Sequence, residues 1–438
     1  MALASSGRAE EAFRSWRRAL DVHDRVGGTS TEFHDHVMSS VKRAAAGFVQ
    51  TARLQPANAE LQHAAAVALS TMGDQADAVS VMQAALRLDP SSAALQQQVG
   101  SILAPSQPEE AAAHLRSALR VCPSDCAGAG AAYLTLARLE CGAHGEGDAG
   151  CRDGCLCLRG WLDAFEAEAR AAAPEPERLR LSASSAGKML CEKGREAEAR
   201  ALGARAVALG GLLHPQQMPR ELVRGLLVNS PWRDDASSWR AVRRLEANAH
   251  LIRDEVLALH ARGQLVRNAA SDNPERLVPQ GDWKELNFVF KGTWNPRAME
   301  LLPATFKVVT SLPEASSMVL GASKISLMEP GTHVAPHTGL TNARLRIHLG
   351  LSGLEGVWIR VGDEVRAWRD GRCIVFDDSF VHEVWHNGTE TRIVLIVDVW
   401  NVEMDEQARR ESIQSSQERA QLVAAYAKNR AQFGDNWF

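Results

Sequence analysis

Apolar residues along this chain first recur at helical spacing and later at alternate positions, and the change falls near residue 287. In the first part, Ala78, Met82 and Ala85 stand upstream of Pro90, and Ala111, Leu115 and Ala118 stand upstream of Pro123. Each set puts small, large and small side chains on one helical face, which lets two helices approach closely. Pro56, Pro90 and Pro123 lie 34 and 33 residues apart, in Leu-Gln-Pro-Ala-Asn-Ala-Glu, Leu-Asp-Pro-Ser-Ser-Ala-Ala and Val-Cys-Pro-Ser-Asp-Cys-Ala. Ala44 and Phe48 before Pro56, and Ala12, Trp16 and Ala19 further up, extend the pattern to an earlier, less regular unit from which Thr51 departs. The Gly- and Cys-rich stretch from Cys141 to Gly154 is expected to be a loop between helices. Helices are expected to resume over Trp161 to Arg170 and Met189 to Leu209, with Ala-Ala-Pro-Glu-Pro-Glu breaking the pattern between them. Gly210 to Pro219, with two prolines and two glycines, is the strongest boundary signal.

Beyond Pro231-Trp232, the apolar positions Val242, Leu245, Ala249, Ile252, Val256 and Leu259 form a helical stripe over Trp239 to His260. From Asn287 the pattern predicts strands at Phe288 to Phe290, Ala322 to Met328, Ala343 to Leu351, Val357 to Val361, Glu364 to Trp368, Cys373 to Phe376 and Arg392 to Trp400. Many short strands separated by Gly and Asp turns indicate a sandwich or barrel. The first third, in turn, resembles tetratricopeptide repeats, whose period is about 34 residues. The alternative is an Ala-rich helical bundle whose spacing is fortuitous. Stacked helical repeats expose an extended surface, so the resemblance implies a role in binding a protein or peptide.

At 438 residues the chain is long enough for two or three domains, each with its own core. Its 49 basic and 53 acidic residues leave a net charge of -4 with no long block of one sign, so no nucleic-acid partner is expected. No stretch approaches the roughly 18 apolar residues of a membrane helix, and Met-Ala-Leu-Ala-Ser-Ser-Gly-Arg leads into a charged helix without a signal-peptide core. A cytoplasmic location is therefore the favoured expectation, although the sequence does not establish one. Six of the eight cysteines lie between Cys122 and Cys157. Cys141, Cys151, Cys155 and Cys157 lack the Cys-x-x-Cys pairs of a zinc site, so free buried thiols are expected, with a local disulfide only in an oxidising compartment.

Chemistry concentrates in the strand region. In Arg344-Leu345-Arg346-Ile347-His348-Leu349, alternation puts the leucines and Ile347 on one face and Arg344, Arg346 and His348 on the other. Two guanidiniums and an imidazole are costly to bury unless they meet anions, so this face either is solvated or lines a charged pocket. The pocket is favoured because the strand follows His337 within a few residues, while its apolar face can pack on helices. Arg392 opens the most apolar strand, where it can snorkel or clamp a carboxylate with two parallel hydrogen bonds. His337, in Pro-His-Thr-Gly, and His382, in Phe-Asp-Asp-Ser-Phe-Val-His-Glu, each sit beside turn residues and suit iron or another borderline metal.

Three segments together carry a more specific likeness: Ser326-Leu-Met-Glu-Pro-Gly-Thr-His-Val-Ala-Pro-His337-Thr-Gly-Leu-Thr-Asn-Ala-Arg-Leu-Arg346-Ile-His348-Leu-Gly-Leu, Phe376-Asp-Asp-Ser-Phe-Val-His382-Glu-Val-Trp and Arg392-Ile-Val-Leu-Ile-Val-Asp-Val-Trp. They resemble the aspartyl/asparaginyl β-hydroxylase family, weakly extended upstream through Pro231-Trp232, Leu251-Ile-Arg-Asp-Glu255 and Gly281-Asp-Trp283. The resemblance implies a double-stranded β-helix, or jelly roll, that uses Fe(II), 2-oxoglutarate and O2 to hydroxylate the β-carbon of Asp or Asn side chains. It implies His337 and His382 as catalytic iron ligands, with Gly339 standing where most relatives in the wider superfamily place a third, carboxylate ligand. Ser326 and Arg392 would hold the distal carboxylate of 2-oxoglutarate, Trp283 and the run Arg346, Ile347 and His348 would make other cosubstrate contacts, and Arg344 and Arg346 would meet an acidic substrate side chain. The chain has no cysteine between Gly292 and Ser323, where animal relatives carry a disulfide-closed loop, so substrate choice is open.

The resulting expectation is a multidomain chain: tetratricopeptide-like all-α repeats over 1–210, a linker over 211–227, the jelly-roll oxygenase domain over 228–405 and a helical tail over 406–438. Its partner is a protein or peptide substrate, held through the repeats. Two rival readings remain, the same scaffold hydroxylating or halogenating another substrate, and a non-enzymatic adaptor built on the repeats.

Overall fold

The structure is a computed structural model, and it describes residues 39, 46, 49–50, 62, 65–66, 69–70, 74–121, 129–144, 156–226, 230–263, 277–278, 280–415 and 419–433. The chain divides into two compact units, Met1–Ser182 and Ala183–Phe438. The division runs through a helix, and the last residues read as repeats fall in the second unit.

In the first unit, α1 (Gln75–Leu88), α2 (Ala93–Leu103), α3 (Pro108–Val121), α4 (Ala129–His144) and α5 (Leu156–Ala169) pack on their sequence neighbours. α6 (Pro176–Glu192) bridges to the second unit. The alternating small and large positions do what their spacing predicts: Ala78, Met82, Ala85, Ala111, Leu115 and Ala118 are all buried. Gly100 of α2 is required by that closeness, because a Cβ there would lie 2.6 Å from Leu115 Cγ. The Ser92 hydroxyl caps α2 by accepting from Leu95 N at 3.3 Å. α4 continues to His144, so the stretch read as a loop from Cys141 begins as helix. Cys157 is disulfide-bonded, against the expectation of free thiols, whereas Cys191 and Cys373 are free. The earlier repeat unit, with Ala12, Trp16, Ala19, Ala44, Phe48, Thr51 and Pro56, and the turn at Pro123 lie outside the described residues.

The second unit is a β domain with helices on one face. After α7 (Glu196–Ala208), the single stripe expected over Trp239 to His260 forms two helices, α8 (Arg240–Ala247) and α9 (Ala249–Ala261), parted at Asn248. Strands β1 (Trp283–Phe290) and β2 (Thr293–Trp294) form a hairpin whose two turn residues, Lys291 and Gly292, both have positive φ. That is the turn whose twist matches paired strands. Short helices α10 (Pro296–Leu301), α11 (Pro303–Thr310) and α12 (Pro313–Ser316) follow, each with proline at its start. The Glu255 carboxylate of α9 caps α11, accepting from Ala304 N at 2.9 Å and Thr305 N at 2.8 Å.

The remaining strands are β3 (Ala322–Met328), β4 (His333–His337), β5 (Arg344–Ser352), β6 (Val357–Val361), β7 (Glu364–Ala367), β8 (Cys373–Phe376), β9 (His382–His386) and β10 (Arg392–Trp400). They form two antiparallel sheets, ordered β2-β1-β3-β10-β5-β8 and β4-β9-β6-β7. This is a jelly roll, in which β3 to β10 divide between two facing sheets and β1 and β2 widen one of them. Leu345, Ile347 and Leu349 of β5 bury against Val242, Leu245, Ile252, Val256 and Val309 of the helices. Met328, Val394 and Ile396 of the large sheet meet Val334, Val357, Ile359 and Val384 of the small one in a second core. The tail forms α13 (Glu406–Ser415) and α14 (Arg419–Phe433), which close a third core around Trp400, Met404, Ile413 and Leu422.

Candidate active site

β4 and β9 pair so that His337 stands directly opposite His382. Their rings are 4.1 Å apart between centroids and tilted by 48°. His337 Nδ1 lies 2.8 Å from Ala335 O and His382 Nδ1 lies 2.9 Å from Phe380 O. A carbonyl only accepts, so each Nδ1 carries the proton and each Nε2 carries a lone pair. Burial first, then the neighbouring His337, pushes the pKa of His382 well below its ordinary value, which keeps the ring neutral and ready to bind a metal. Among the described residues no group of three or more His, Cys, Asp or Glu side chains could hold a metal ion.

Gly339 has no room for a ligand. A Cβ at that position would lie 2.4 Å from Asp378 Cγ. The Asp378 carboxylate accepts from Arg344 Nε at 3.2 Å and Nη2 at 2.7 Å, and pairs with Arg346 Nη1 at 3.0 Å. Asp398 takes the other side of the same cluster, accepting from Arg346 Nε at 2.7 Å and Nη2 at 2.9 Å. Despite full burial, these guanidiniums hold the Asp378 carboxyl well below the ordinary range and lower that of Asp398. We expect Gly339→Asp to lose turnover and to lower stability by about 1–3 kcal/mol, the usual cost of forcing atoms into packed space. An unchanged thermal midpoint would contradict this.

A second cluster lies on the same inner face. Trp283 Nε1 donates to Ser326 Oγ at 2.8 Å and Arg392 Nη1 donates to it at 3.0 Å. With two donors on its oxygen, the Ser326 hydroxyl is left to donate its own proton. Arg392 is 2% exposed, and its Nε has no partner. Arg344 and Arg346 share Asp378 and Asp398, and Lys324 pairs with Glu285. Among these inward-facing cations Arg392 alone has no carboxylate in ion-pair range, and burial pushes its pKa down to about 9. His348 is also buried, and neither of its ring nitrogens has a partner. Burial first, then Arg346 and Arg392, pushes its pKa well below the ordinary value. The protein thus holds a desolvated cation, a hydroxyl donor and an unpartnered imidazole close together, a constellation that suits a small dianion.

Residues 246–402 match the family model described as aspartyl/asparaginyl beta-hydroxylase, a span that holds both histidines and every residue of these two clusters. The chain resembles the aspartyl/asparaginyl β-hydroxylases. The human aspartyl/asparaginyl beta-hydroxylase is 40% identical over 192 residues, which is 43% of this chain and 25% of that protein. The mouse aspartate beta-hydroxylase domain-containing protein 2 is 39% identical over 128 residues, 28% of this chain and 37% of that one. An ornithine lipid ester-linked acyl 2-hydroxylase of Rhizobium tropici is 34% identical over 119 residues, 26% of this chain and 41% of its own length. The chain therefore spans a quarter to about two-fifths of these relatives. Among solved structures it is similar to MamA, at a TM-score of 0.31 and 16% identity over 40% of this chain and 92% of that one. It is also similar to the tetratricopeptide-repeat protein YrrB, at a TM-score of 0.30 and 14% identity over 60% and 96%.

Within this β-hydroxylase-like domain, the structure brings together His337 and His382, and separately Trp283, Ser326, His348 and Arg392. Ile347 lies elsewhere: alternation along β5 turns its side chain into the helix-side core, so it is no part of the pocket's lining. Arg344 and Arg346 face inward as expected, but each is held by buried carboxylates, and a substrate anion would have to compete with Asp378 and Asp398. Sequence reasoning missed those two aspartates. Asp398 had a signal, since it is the one acidic residue in an apolar strand.

Proposed function

We propose that the protein is an Fe(II)- and 2-oxoglutarate-dependent dioxygenase that hydroxylates the β-carbon of Asp or Asn side chains in a protein or peptide. The observation that carries this reading is Arg392, a buried cation of the large sheet without a carboxylate in ion-pair range, inside the same jelly roll as the neutral imidazole pair of the small sheet. His337 and His382 would hold the iron through Nε2, and Arg392 with the Ser326 hydroxyl would bind one carboxylate of 2-oxoglutarate, with Trp283 fixing Ser326. When bound, iron and 2-oxoglutarate supply activation of O2 coupled to oxidative decarboxylation. The chain's own residues then bind, orient and exclude water. His348, held neutral, offers the cosubstrate a nitrogen as donor or acceptor. The Asp378 and Asp398 carboxylates neutralise Arg344 and Arg346, so the charge left for ligands is that of Arg392.

The helical repeats would hold the protein substrate, a division of labour that places 1–210 in recognition and 228–405 in chemistry. The Rhizobium relative, named as a lipid acyl hydroxylase, supports a second reading in which the same chemistry acts on another substrate. Anaerobically purified protein given Fe(II), 2-oxoglutarate, O2 and peptides bearing Asp or Asn should form succinate and a peptide heavier by one oxygen atom. Succinate without peptide oxidation would favour the second reading, and no iron-dependent succinate would overturn both. Arg392→Lys should weaken 2-oxoglutarate binding by about 1.5–3 kcal/mol, because an ammonium cannot reproduce a two-pronged guanidinium contact. Calorimetric titration with Mn(II) in place of iron checks this, and an unchanged affinity would make Arg392 structural.

A further inference from the structure

The geometry points to Trp368 as a positioning residue for the anionic cosubstrate: its indole face holds the Arg392 guanidinium and the His348 imidazole that would receive it. This rests on the proposed function above. Trp368 follows β7 in the small sheet, while Arg392 and His348 belong to β10 and β5 of the large sheet, so the contact crosses the interior of the jelly roll.

Three observations meet on this side chain. The Arg392 guanidinium carbon lies 4.8 Å from the Trp368 ring centroid. The His348 ring lies 5.8 Å from the same indole and within 8° of parallel. Trp368 is 4% exposed, and its Nε1 has no hydrogen-bond partner. A buried tryptophan usually finds an acceptor for its N–H. Here the indole is fixed by packing alone, so the part of it that acts is the face.

The physical need for such a face is specific. Arg392 is desolvated, and among the described residues no carboxylate lies in ion-pair range and Ser326 Oγ alone accepts from its guanidinium. The negative face of an aromatic ring attracts a cation without supplying a carboxylate, and the attraction is largest where water is excluded. Trp368 therefore stabilises the charge of Arg392 while leaving its remaining donors for an incoming anion. A carboxylate in the same place would fill those donors, as Asp398 does for Arg346. Phe376 continues the packed rings, edge-on to His348 at 5.1 Å and to His382 at 5.6 Å, so the orientation of His348 is set from both sides.

The test uses the full chain with Mn(II) bound, without O2, and measures the dissociation constant for 2-oxoglutarate by calorimetry for wild type, Trp368→Phe and Trp368→Met. Met keeps bulk and loses the ring face; Phe keeps a face and loses the N–H. Trp368→Met should raise the 2-oxoglutarate constant about thirtyfold, the equivalent of the ~2 kcal/mol of a desolvated cation–π contact. It should leave the Mn(II) constant within about threefold. Trp368→Phe should stay within about fivefold of wild type for both ligands. An unchanged constant for Trp368→Met, or equal losses in Phe and Met, would overturn the proposal. So would a matching loss of Mn(II) affinity, which would mean that the whole site had collapsed. If Trp368→Met does not fold, Trp368→Tyr replaces it, and a tenfold or larger loss in both ring-bearing variants is the overturning result. Wild-type protein that binds Mn(II) but not 2-oxoglutarate would refute the proposed function and this inference with it, whereas binding that ignores Trp368 would refute the inference alone.

Discussion

Alanine in place of either His337 or His382 is expected to lower affinity for Fe(II) or Mn(II) by more than about 100-fold and to abolish succinate formation. Loss even of an outer partner that orients a ligand typically costs about 10–100-fold in metal affinity, and here an entire ligand of two is removed. The cause is local. Each ring is tethered by its own Nδ1 to a carbonyl two residues earlier, at 2.8 and 2.9 Å, so removing one ring leaves the other in place but alone. Among the described residues no third His, Cys, Asp or Glu completes a metal-binding group with the survivor. Calorimetric titration with Mn(II) measures the first effect and succinate assay the second. Thermal midpoints should move little, since neither tether joins the two sheets. Full activity in either variant would remove the imidazole pair from the mechanism.

Asp398→Ala should destabilise the β domain by about 3–5 kcal/mol. Its carboxylate accepts two hydrogen bonds from Arg346 and one from Ala322 N at 2.9 Å, and lies 3.5 Å from Arg344 Nη1. Truncation would leave Arg346 buried with only part of its counter-charge, and the backbone N–H of Ala322 without an acceptor. Denaturant unfolding gives the magnitude, and a loss below 1 kcal/mol would show that Asp378 alone balances both arginines. The acid side follows from the same pairs. The folded-state pKa values of Asp378 and Asp398 lie below the ordinary one, so their contribution is fully present above roughly pH 4 and is lost as pH falls through the lower folded values. The Asp398→Ala variant should therefore lose less stability than wild type on acidification.

Local pattern was enough wherever one face of an element is uniformly apolar. Ala322 to Met328, Val357 to Val361, Cys373 to Phe376 and Arg392 to Trp400 were legible as strands to the residue, and Arg344 to Ser352 to within one, because burial on the pleated face writes itself into hydrophobicity. The helical faces built on Ala78, Met82 and Ala85 and on Ala111, Leu115 and Ala118 were legible for the same reason. The two strands that carry the histidines were not. β4, His-Val-Ala-Pro-His, contains a proline and two imidazoles, and β9, His-Glu-Val-Trp-His, is nearly as polar. Neither looks like a strand until the other pairs with it, since the partner supplies the hydrogen bonds and the pocket supplies the use for the polar side chains.

The sequence by itself therefore determined the kinds of residue available: a helical-repeat region, a β domain with inward-facing arginines, and a histidine pair with Ser326 and Arg392 at spacings that resemble a family. Tertiary structure decided what each of them meets. Strand register brought His337 opposite His382, the close approach of Asp378 to Gly339 closed the position of a third ligand, and Asp378 and Asp398 consumed the charge of Arg344 and Arg346. Among the described inward-facing cations, that left Arg392, backed by Trp368, without a carboxylate in ion-pair range. These outcomes depend on contacts between segments tens of residues apart, and neither composition nor periodicity records which charge is paired across such a distance.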